Sequence, residues 1–367
     1  MKIAFISAYA GIIDGGVERH THRIAKELAK KNKVTIITID RYEGKNYHNQ
    51  KIDNVNYVRL PVKYNLSYRI KVWPALYKEL MKGYDIIQGF GHGHMYFSDV
   101  VKAAKKTNAK LFYTIYGPAT EEAEYSLYEK ILIKLIGLIN DNKIKECDKI
   151  FLRNPVFAKE WLKSLGVEDK KIFLDIGAVE KEYFSSKKAK EKKNTIFYNG
   201  RISPQKGLQT LIDCMKDITK EIPEAKLIIT GQDQNKYEKE MKEKIKSLEL
   251  EKNIKFLGKI SEKELIKLFD EATVFALPST YEGLGQSLIK AMARGKACIA
   301  MNKGAVPWVL ENGKCGLLAE NKEDMTKKII YLLNNEKIRN SLGRKAKERA
   351  KIFIYENSLK KIIKEYS

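Results

Sequence analysis

Three short segments carry residue types that could do chemistry. The first, Gly200-Arg201-Ile202-Ser203-Pro204-Gln205-Lys206-Gly207, follows the apolar run Thr195–Tyr198 and opens an amphipathic run at Leu208. A guanidinium and an ammonium converging there can neutralise a diphosphate, Arg201 by bidentate bonding and Lys206 as a point charge. Two solvated cations in a lysine-rich chain are the plainer reading. The second segment, Pro278-Ser279-Thr280-Tyr281-Glu282-Gly283-Leu284-Gly285-Gln286, lies between the run Val274–Leu277 and the periodic stretch Gln286–Ala293. Gly283 and Gly285 clear the approach to amides at a helix start, which would hold an anionic phosphate. Glu282 would accept hydrogen bonds from sugar hydroxyls. A carboxylate next to an anion is costly without a cation or hydroxyl partner, and that awkwardness points to function. The third segment is Gly15-Gly16, just before the amphipathic Val17–Lys30. It suits a phosphate, a sugar hydroxyl or merely a tight turn. The spacing is not G-x-G-x-x-G, so a dehydrogenase is not favoured.

These segments need a scaffold that brings loops together. Lys2–Ser7, Lys33–Ile39, Tyr57–Leu60, Asp85–Gln88, Lys110–Ile115, Lys149–Leu152 and Ile172–Leu174 read as strands. Helical patterns stand between them, among them Ile24, Ala25, Leu28 and Ala29 on one face, Tyr77–Met81 and Ser98–Lys106. Fully apolar strands alternating with helices mean a parallel sheet covered on both faces. The polar, lysine-heavy Ser185–Asn194 reads as a linker. After it the pattern restarts: strands at Thr195–Tyr198, Lys226–Thr230, Ile254–Phe256, Val274–Leu277 and Ala297–Met301, helices at Leu208–Ile218, Tyr237–Leu248, Glu262–Asp270 and Gln286–Ala293. Two doubly wound units joined by one linker place a cleft where the carboxyl ends of both sheets face each other. The linker sets the expected division at 1–184 and 185–350. Ile338–Tyr366 reads as helix. In Glu121–Cys147, Tyr125, Tyr128, Leu132, Leu135, Ile136 and Ile139 line one helical side among lysines. That side suits either acidic lipid or an ordinary core.

Composition narrows the class. The 367 residues make about two domains, and 44% hydrophobic with 31% charged residues exclude a disordered or collagen-like chain. The net charge of +23 is spread along the chain. It favours anionic partners such as nucleic acid, sugar nucleotides or acidic membrane, or else reflects a coding bias toward lysine. No zinc-finger spacing or aromatic RNP signature supports nucleic acid. Cys147, Cys214, Cys298 and Cys315 stand alone, as small buried thiols in a reducing compartment would. Met1–Ala10 reads as a buried strand rather than a signal peptide, and no apolar run reaches the ~20 residues of a membrane span.

Taken together, the chain resembles the family-four glycosyltransferases of the GT-B fold. The likeness is carried by the Gly-Gly loop, G-R-x-x-x-x-K-G at Gly200–Gly207, P-S-x-x-E-G-x-G at Pro278–Gly285, A-M-A-x-G at Ala291–Gly295 and N-G-x-x-G-L-L at Asn312–Leu318. Tyr355-Glu356 is similar to the pair opening the last helix, which in this fold crosses back to the first domain, so the resemblance implies that about 351–367 returns to 1–184. The resemblance implies a retaining enzyme, which the lone cysteines suit to the cytoplasm and the basic charge to the inner face of the membrane. It would move a hexose or N-acetylhexosamine from a UDP- or GDP-sugar to a glycan or lipid-linked acceptor. It also implies no metal and no cofactor, in keeping with the absence of a D-x-D pair. Arg201, Lys206 and Glu282 would be the catalytic residues. The donor would touch Gly16, Gly231, Lys259, Ile260, Gly283, Leu284, Gly285, Gln286 and Lys290. Gly15, His92, His94 and Tyr116 would lie on the acceptor side.

The departures from the pattern matter as much. Lys290 stands where the second Glu of Glu-x7-Glu normally accepts bonds from ribose hydroxyls, and an ammonium cannot accept. Either ribose recognition is altered or the donor carries an extra anion nearby. Tyr116 replaces a His, Ile176-Gly177 replaces Asn-Gly, and Trp308 replaces a Glu in the G-G-x-P-E loop. These losses motivate a second reading, a nucleotide-binding or scaffold protein without turnover. A third reading, a nucleic-acid binder, rests on charge alone.

Overall fold

Strands without a polar residue to show to solvent must be covered on both sides, and this requirement organises the whole chain. The computed structural model describes residues 1–13, 15–65, 71–91, 93–116, 127–154, 156–186, 189–233 and 236–367. They form two units. The first runs to Asp175 and regains Leu359–Ser367, and the second is Ile176–Ser358.

The sheet of the first unit runs, edge to edge, Ile172–Leu174, Lys149–Leu152, Lys110–Ile115, Ile86–Phe90, Lys2–Ile6, Lys33–Ile39, Val55–Leu60 and Gln50–Ile52. All neighbours are parallel except the last pair, a hairpin turning at Asp53-Asn54, both with positive φ. That short edge strand was not expected, although Asp-Asn suits the turn. Alternation along the strand sends Ala4 and Ile6 to a core with Ile37 and Val100. It sends Ile3 and Phe5 to the opposite core with Ile24 and Phe112.

The second sheet runs Ile254–Phe256, Lys226–Thr230, Thr195–Asn199, Val274–Leu277, Ala297–Met301 and Leu317–Ala319, all parallel. Ile196, Tyr198, Val274 and Ala276 face Leu211 and Ile329, while Phe197, Phe275 and Leu277 face Phe269 and Leu288. Chain order proceeds outward in both directions from the central pair Thr195–Asn199 and Val274–Leu277. The strand order therefore reverses between them, and ligands bind open α/β sheets at the carboxyl ends of such a pair.

Three expectations are corrected. The boundaries fall at 175/176 and 358/359 rather than 184/185 and 350/351, because Val179 and Tyr183 are buried in the second unit's core. The lysine-rich stretch is fastened to that unit rather than spanning freely. Ala189 N–H donates to Asp270 Oδ2 at 3.1 Å, and Lys192 Nζ meets Glu271 Oε2 at 2.8 Å. The helical pattern over Ile338–Tyr366 is two helices, Glu336–Ala350 and Tyr355–Lys364, the second opening at Tyr355 as the resemblance implies. They part at Phe353 and Ile354, where the Phe353 carbonyl accepts from the Ala178 and Val179 amides and Ile354 bridges Val179. The last turns bury Ile362 and Tyr366 in the first unit.

The helix Leu127–Ile144 also differs from expectation. It turns Ile136, Asn140 and Ile144 inward beside the helix Phe97–Thr107, while Ile131, Leu135, Leu138 and Ile139 are between 51 and 73% exposed. Tyr125 lies outside the described residues. Among those described, no helix is long and apolar enough to cross a membrane.

Candidate functional site

Because Thr195–Asn199 and Val274–Leu277 are parallel neighbours, with Ile196 opposite Val274, the loops that leave their carboxyl ends run side by side. They are also stitched together. The Thr280 N–H and hydroxyl both donate to the Gln205 carbonyl, at 3.0 and 3.1 Å. A Cβ on Gly207, whose φ is +64°, would lie 2.0 Å from the Pro278 oxygen, so only glycine allows this approach.

The approach delivers Lys206 to Glu282. Lys206 Nζ bonds Glu282 Oε1 at 2.7 Å, and Ser279 Oγ donates to the same oxygen at 2.7 Å. The side chains are 15 and 8% exposed. The carboxylate thus has the cation and the hydroxyl that its position demands. Glu282 occupies one of the three ammonium donors, leaving Lys206 the chemistry to bridge a carboxylate and a second anion. Gly304, with φ +59°, covers the Glu282 backbone so closely that a Cβ would meet its oxygen at 2.3 Å, and the Ala305 N–H donates to that oxygen at 2.9 Å. Neither Ser279 nor Gly304 stood out as functional in the sequence. Ser279 is visible in the Pro-Ser motif, and Gly304 in a glycine before Ala-Val-Pro.

Gly285, with φ +70°, caps the helix Gln286–Ala293. Gly283 is half-buried and Gln286 exposed, whereas the Leu284 side chain belongs to the core and leaves only main chain to a ligand. Arg201 is exposed on its loop, and its carbonyl accepts from the Tyr198 hydroxyl at 2.8 Å. Burial, then the Glu282 charge, push the Tyr198 phenol above its usual range, so it stays a donor. Gly231, with φ +146°, would bring a Cβ 1.7 Å from the Gly200 oxygen, and its N–H donates to the Gly258 carbonyl at 2.9 Å. The loops at 200–207, 231, 258–261 and 278–286 therefore share one rim. Lys259 on that rim is exposed, and Ile260 is half-buried against the core.

Lys290 is engaged already. Its ammonium bonds Glu262 Oε1 at 2.5 Å and lies 4.9 Å from the centre of the Tyr183 ring. The Tyr183 hydroxyl donates to the same carboxylate oxygen. Neither Glu262 nor Tyr183 was singled out in the sequence, since nothing in their spacing signals the contact. Trp308 packs edge-on against Phe353, and the Arg349 guanidinium lies 5.0 Å from its ring. Gly177 abuts the last helix, where a Cβ would lie 2.7 Å from that of Ser358.

In the first unit, Gly15 caps the helix Gly16–Leu28. A Cβ on Gly15 would strike Glu18, whereas the space at Gly16 is open. Tyr116 is half-buried, edge-on to His20 at 6.0 Å, with the Arg153 guanidinium 5.9 Å from its ring. His20 Nε2 and Arg153 Nη1 both meet the fully buried Asp175, at 2.8 and 3.0 Å. This buried ionic cluster was not anticipated, because its members lie in three distant segments. Burial and Arg153 hold the His20 imidazole below its ordinary pKa despite Asp175. Burial opposes ionisation of Asp175, but Arg153 and His20 prevail and hold its carboxyl well below the usual range. His94 is buried and stacked on Tyr96 at 5.0 Å, and His92 lies outside the described residues.

Residues 14–174 match the family described as Glycosyltransferase Family 4, and residues 179–349 match Glycosyl transferases group 1. An uncharacterized glycosyltransferase of Methanocaldococcus jannaschii is 29% identical over 377 residues, covering 100% of this chain and 98% of its own. A mannosylfructose-phosphate synthase of Agrobacterium fabrum is 26% identical over 63% of this chain and 54% of its own. Among solved structures, a sucrose-phosphate synthase from Thermosynechococcus elongatus superposes with TM-score 0.74 at 18% identity, over 100% of this chain and 98% of that one. Anabaena HepE, in complex with UDP and glucose, does so with TM-score 0.76 at 16% identity, over 100 and 99%.

Proposed function

The chain belongs to the family-four glycosyltransferases of the GT-B fold, and on that premise we propose that it transfers a sugar from a UDP- or GDP-sugar with retention of anomeric configuration. The observation that carries this reading is the Lys206–Glu282–Ser279 cluster at the point where the strand order of the second unit reverses. The complex of HepE with UDP and glucose supports a uridine nucleotide as one candidate donor. Arg201 and Lys206 hold the diphosphate, and the main chain at Gly285 and Gln286 takes its distal phosphate. Glu282 meets the transferred sugar, while the main chain at Lys259 and Ile260 meets the base. The C1–O bond breaks and its electron pair stays on the diphosphate, whose growing charge the two cations stabilise without a metal. The acceptor oxygen bonds C1 from the same face and passes its proton to the leaving phosphate.

Calorimetry with UDP and GDP tests the cradle. Lys206→Ala and Arg201→Ala should each weaken binding roughly tenfold to a hundredfold, the worth of a charge-assisted hydrogen bond. Affinity untouched by both changes would overturn the site.

The acceptor is a glycan or lipid-linked glycan met at an anionic bilayer. Ile131, Leu135, Leu138 and Ile139 form an exposed apolar stripe on a helix that also bears the exposed Lys134, in a chain of net charge +23. An apolar stripe with flanking lysine suits the interface of acidic lipid. The protein should float with vesicles containing phosphatidylglycerol and not with pure phosphatidylcholine. Equal behaviour with both would remove the acidic surface from the proposal. A reading without turnover remains motivated by Lys290. Transfer or hydrolysis of UDP- and GDP-sugars separates the two, since a scaffold returns the donor unchanged.

A further inference from the structure

Lys290 leaves the nucleotide without the carboxylate expected there, yet its ammonium itself holds one, that of Glu262. Glu262 begins the helix Glu262–Glu271, directly after the loop at 258–261, and its Oε1 receives both the Lys290 ammonium and the Tyr183 hydroxyl. Two features fix where this carboxylate sits. Ser261 forms a capping box with Glu264, the Glu264 carboxylate accepting from the Ser261 N–H at 3.0 Å, which sets the entry of the chain into the helix. Tyr183 is fully buried and Lys290 is mostly shielded, so both donors are held from below by the core. Glu262 itself is 47% exposed.

Lys290 lies four residues along the helix whose first residue, Gln286, belongs to the phosphate cradle. Four residues advance about 6 Å along the axis and return to nearly the same face. The Lys290 backbone therefore stands about one helical turn from the phosphate cradle, and the Glu262 carboxylate that its ammonium bonds belongs to a residue two positions after Ile260. In a nucleoside diphosphate, the group between the base and the phosphates is the ribose, whose vicinal hydroxyls are donors seeking an acceptor. An ammonium offers none, whereas a carboxylate is acceptor-only, with two oxygens and about four acceptor directions.

We infer that Glu262, presented by Lys290 and Tyr183, is the residue that receives the ribose hydroxyls of the donor nucleotide. The exchange of charge between two neighbouring helices preserves a carboxylate at the rim while moving its backbone attachment from one helix to the other. Glu262 contacts the ligand and sets selectivity for ribose, and Lys290 is a positioning residue. This inference rests on the nucleotide reading above.

The test is calorimetry with UDP and GDP beside their 2′-deoxy and 2′,3′-dideoxy counterparts. The unaltered protein should prefer the ribose forms by roughly tenfold or more. Glu262→Ala should erase that preference, weakening the ribose forms while leaving the dideoxy forms as they were. Glu262→Gln, which keeps the volume and one acceptor oxygen, should retain part of it. Lys290→Met should reduce the preference, and the exchanged pair Glu262→Lys with Lys290→Glu should restore it. If Glu262→Ala and Glu262→Gln weaken ribose and dideoxy forms equally, or neither, while Lys206→Ala still weakens all of them, the inference falls and the nucleotide site stands. If no diphosphate binds the unaltered protein, or Lys206→Ala changes nothing, the nucleotide reading falls, and this inference with it.

Discussion

At the scale of single residues, the molecule depends on charges that carry their partners with them. Lys206 and Ser279 both bond Glu282, which supplies the partners a carboxylate would need beside the proposed diphosphate, and Glu282→Gln should keep the fold while disturbing how Lys206 is aimed. Gly231 shows the steric counterpart. Its φ of +146° and a Cβ only 1.7 Å from the Gly200 oxygen leave no room for a side chain. Gly231→Ala should cost at least about 2 kcal/mol and part the two loops. A drop in melting temperature together with lost nucleotide affinity is expected, and an unchanged melting curve would contradict the packing. The buried His20 yields a pH dependence. Its pKa is lowered in the folded state, so below the ordinary value of about 6.5 the unfolded chain binds more protons and stability declines. Asp175 acts in the same direction further down. Its depressed pKa stabilises the fold above the unfolded value near 3.9, and that contribution is lost as pH falls toward the folded one. His20→Gln should flatten the dependence of melting temperature on pH between 7 and 5, and an unaltered slope would place the acid sensitivity elsewhere.

At the scale of elements, the helix Leu127–Ile144 carries apolar residues on two sides, and among the described residues packing covers one of them. Asn140 fixes the inward side, donating to the His94 carbonyl at 2.9 Å and accepting from the Ser98 hydroxyl at 2.7 Å. Leu135→Glu with Leu138→Glu changes only the exposed side and should leave the melting temperature within about a degree, since exposed substitutions cost little. Flotation with anionic vesicles should fall at least several-fold. Undiminished flotation would move the lipid contact away from this helix. The four thiols illustrate burial on the same scale. All lie inside strands, helices or the loops beneath them, and burial pushes Cys214 and Cys315 up to about 11. They should resist alkylation at pH 8 until the protein is unfolded.

At the scale of the whole molecule, the last residues of the chain complete the first unit. Tyr366 is 2% exposed among Phe5, Phe112 and Phe151, and its hydroxyl bonds Gln88. Gln88 in turn donates to Thr114 at 2.7 Å, so the loss of Tyr366 would disturb a buried polar chain as well as leave a cavity. Tyr366→Ala should destabilise the first unit by about 3–5 kcal/mol in chemical denaturation. A change below about 1 kcal/mol would show that the C-terminal turns are dispensable there. The net charge of +23 also acts globally. Vesicle binding should weaken steeply as salt is raised, because the attraction acts over about a Debye length.

The two-fold repetition of apolar strands and amphipathic helices, the loops that carry the glycines and cations after the strands, and the burial of the cysteines were all legible in order along the chain. They are local properties, set by side-chain period and by what each residue type can do within a few positions. The division at 175/176 and the inward face of Leu127–Ile144 were misread because they depend on what a segment packs against. Lys206 and Glu282 stand 76 positions apart, Lys290 and Glu262 stand 28 apart, and His20, Arg153 and Asp175 span most of the first unit. Sequence by itself determined the order of strands and helices along the chain and the charge each side chain carries. Only the tertiary structure decided which of them meet, because strand order and helix packing set distances across the fold, and a charge is governed by the neighbour it finds there.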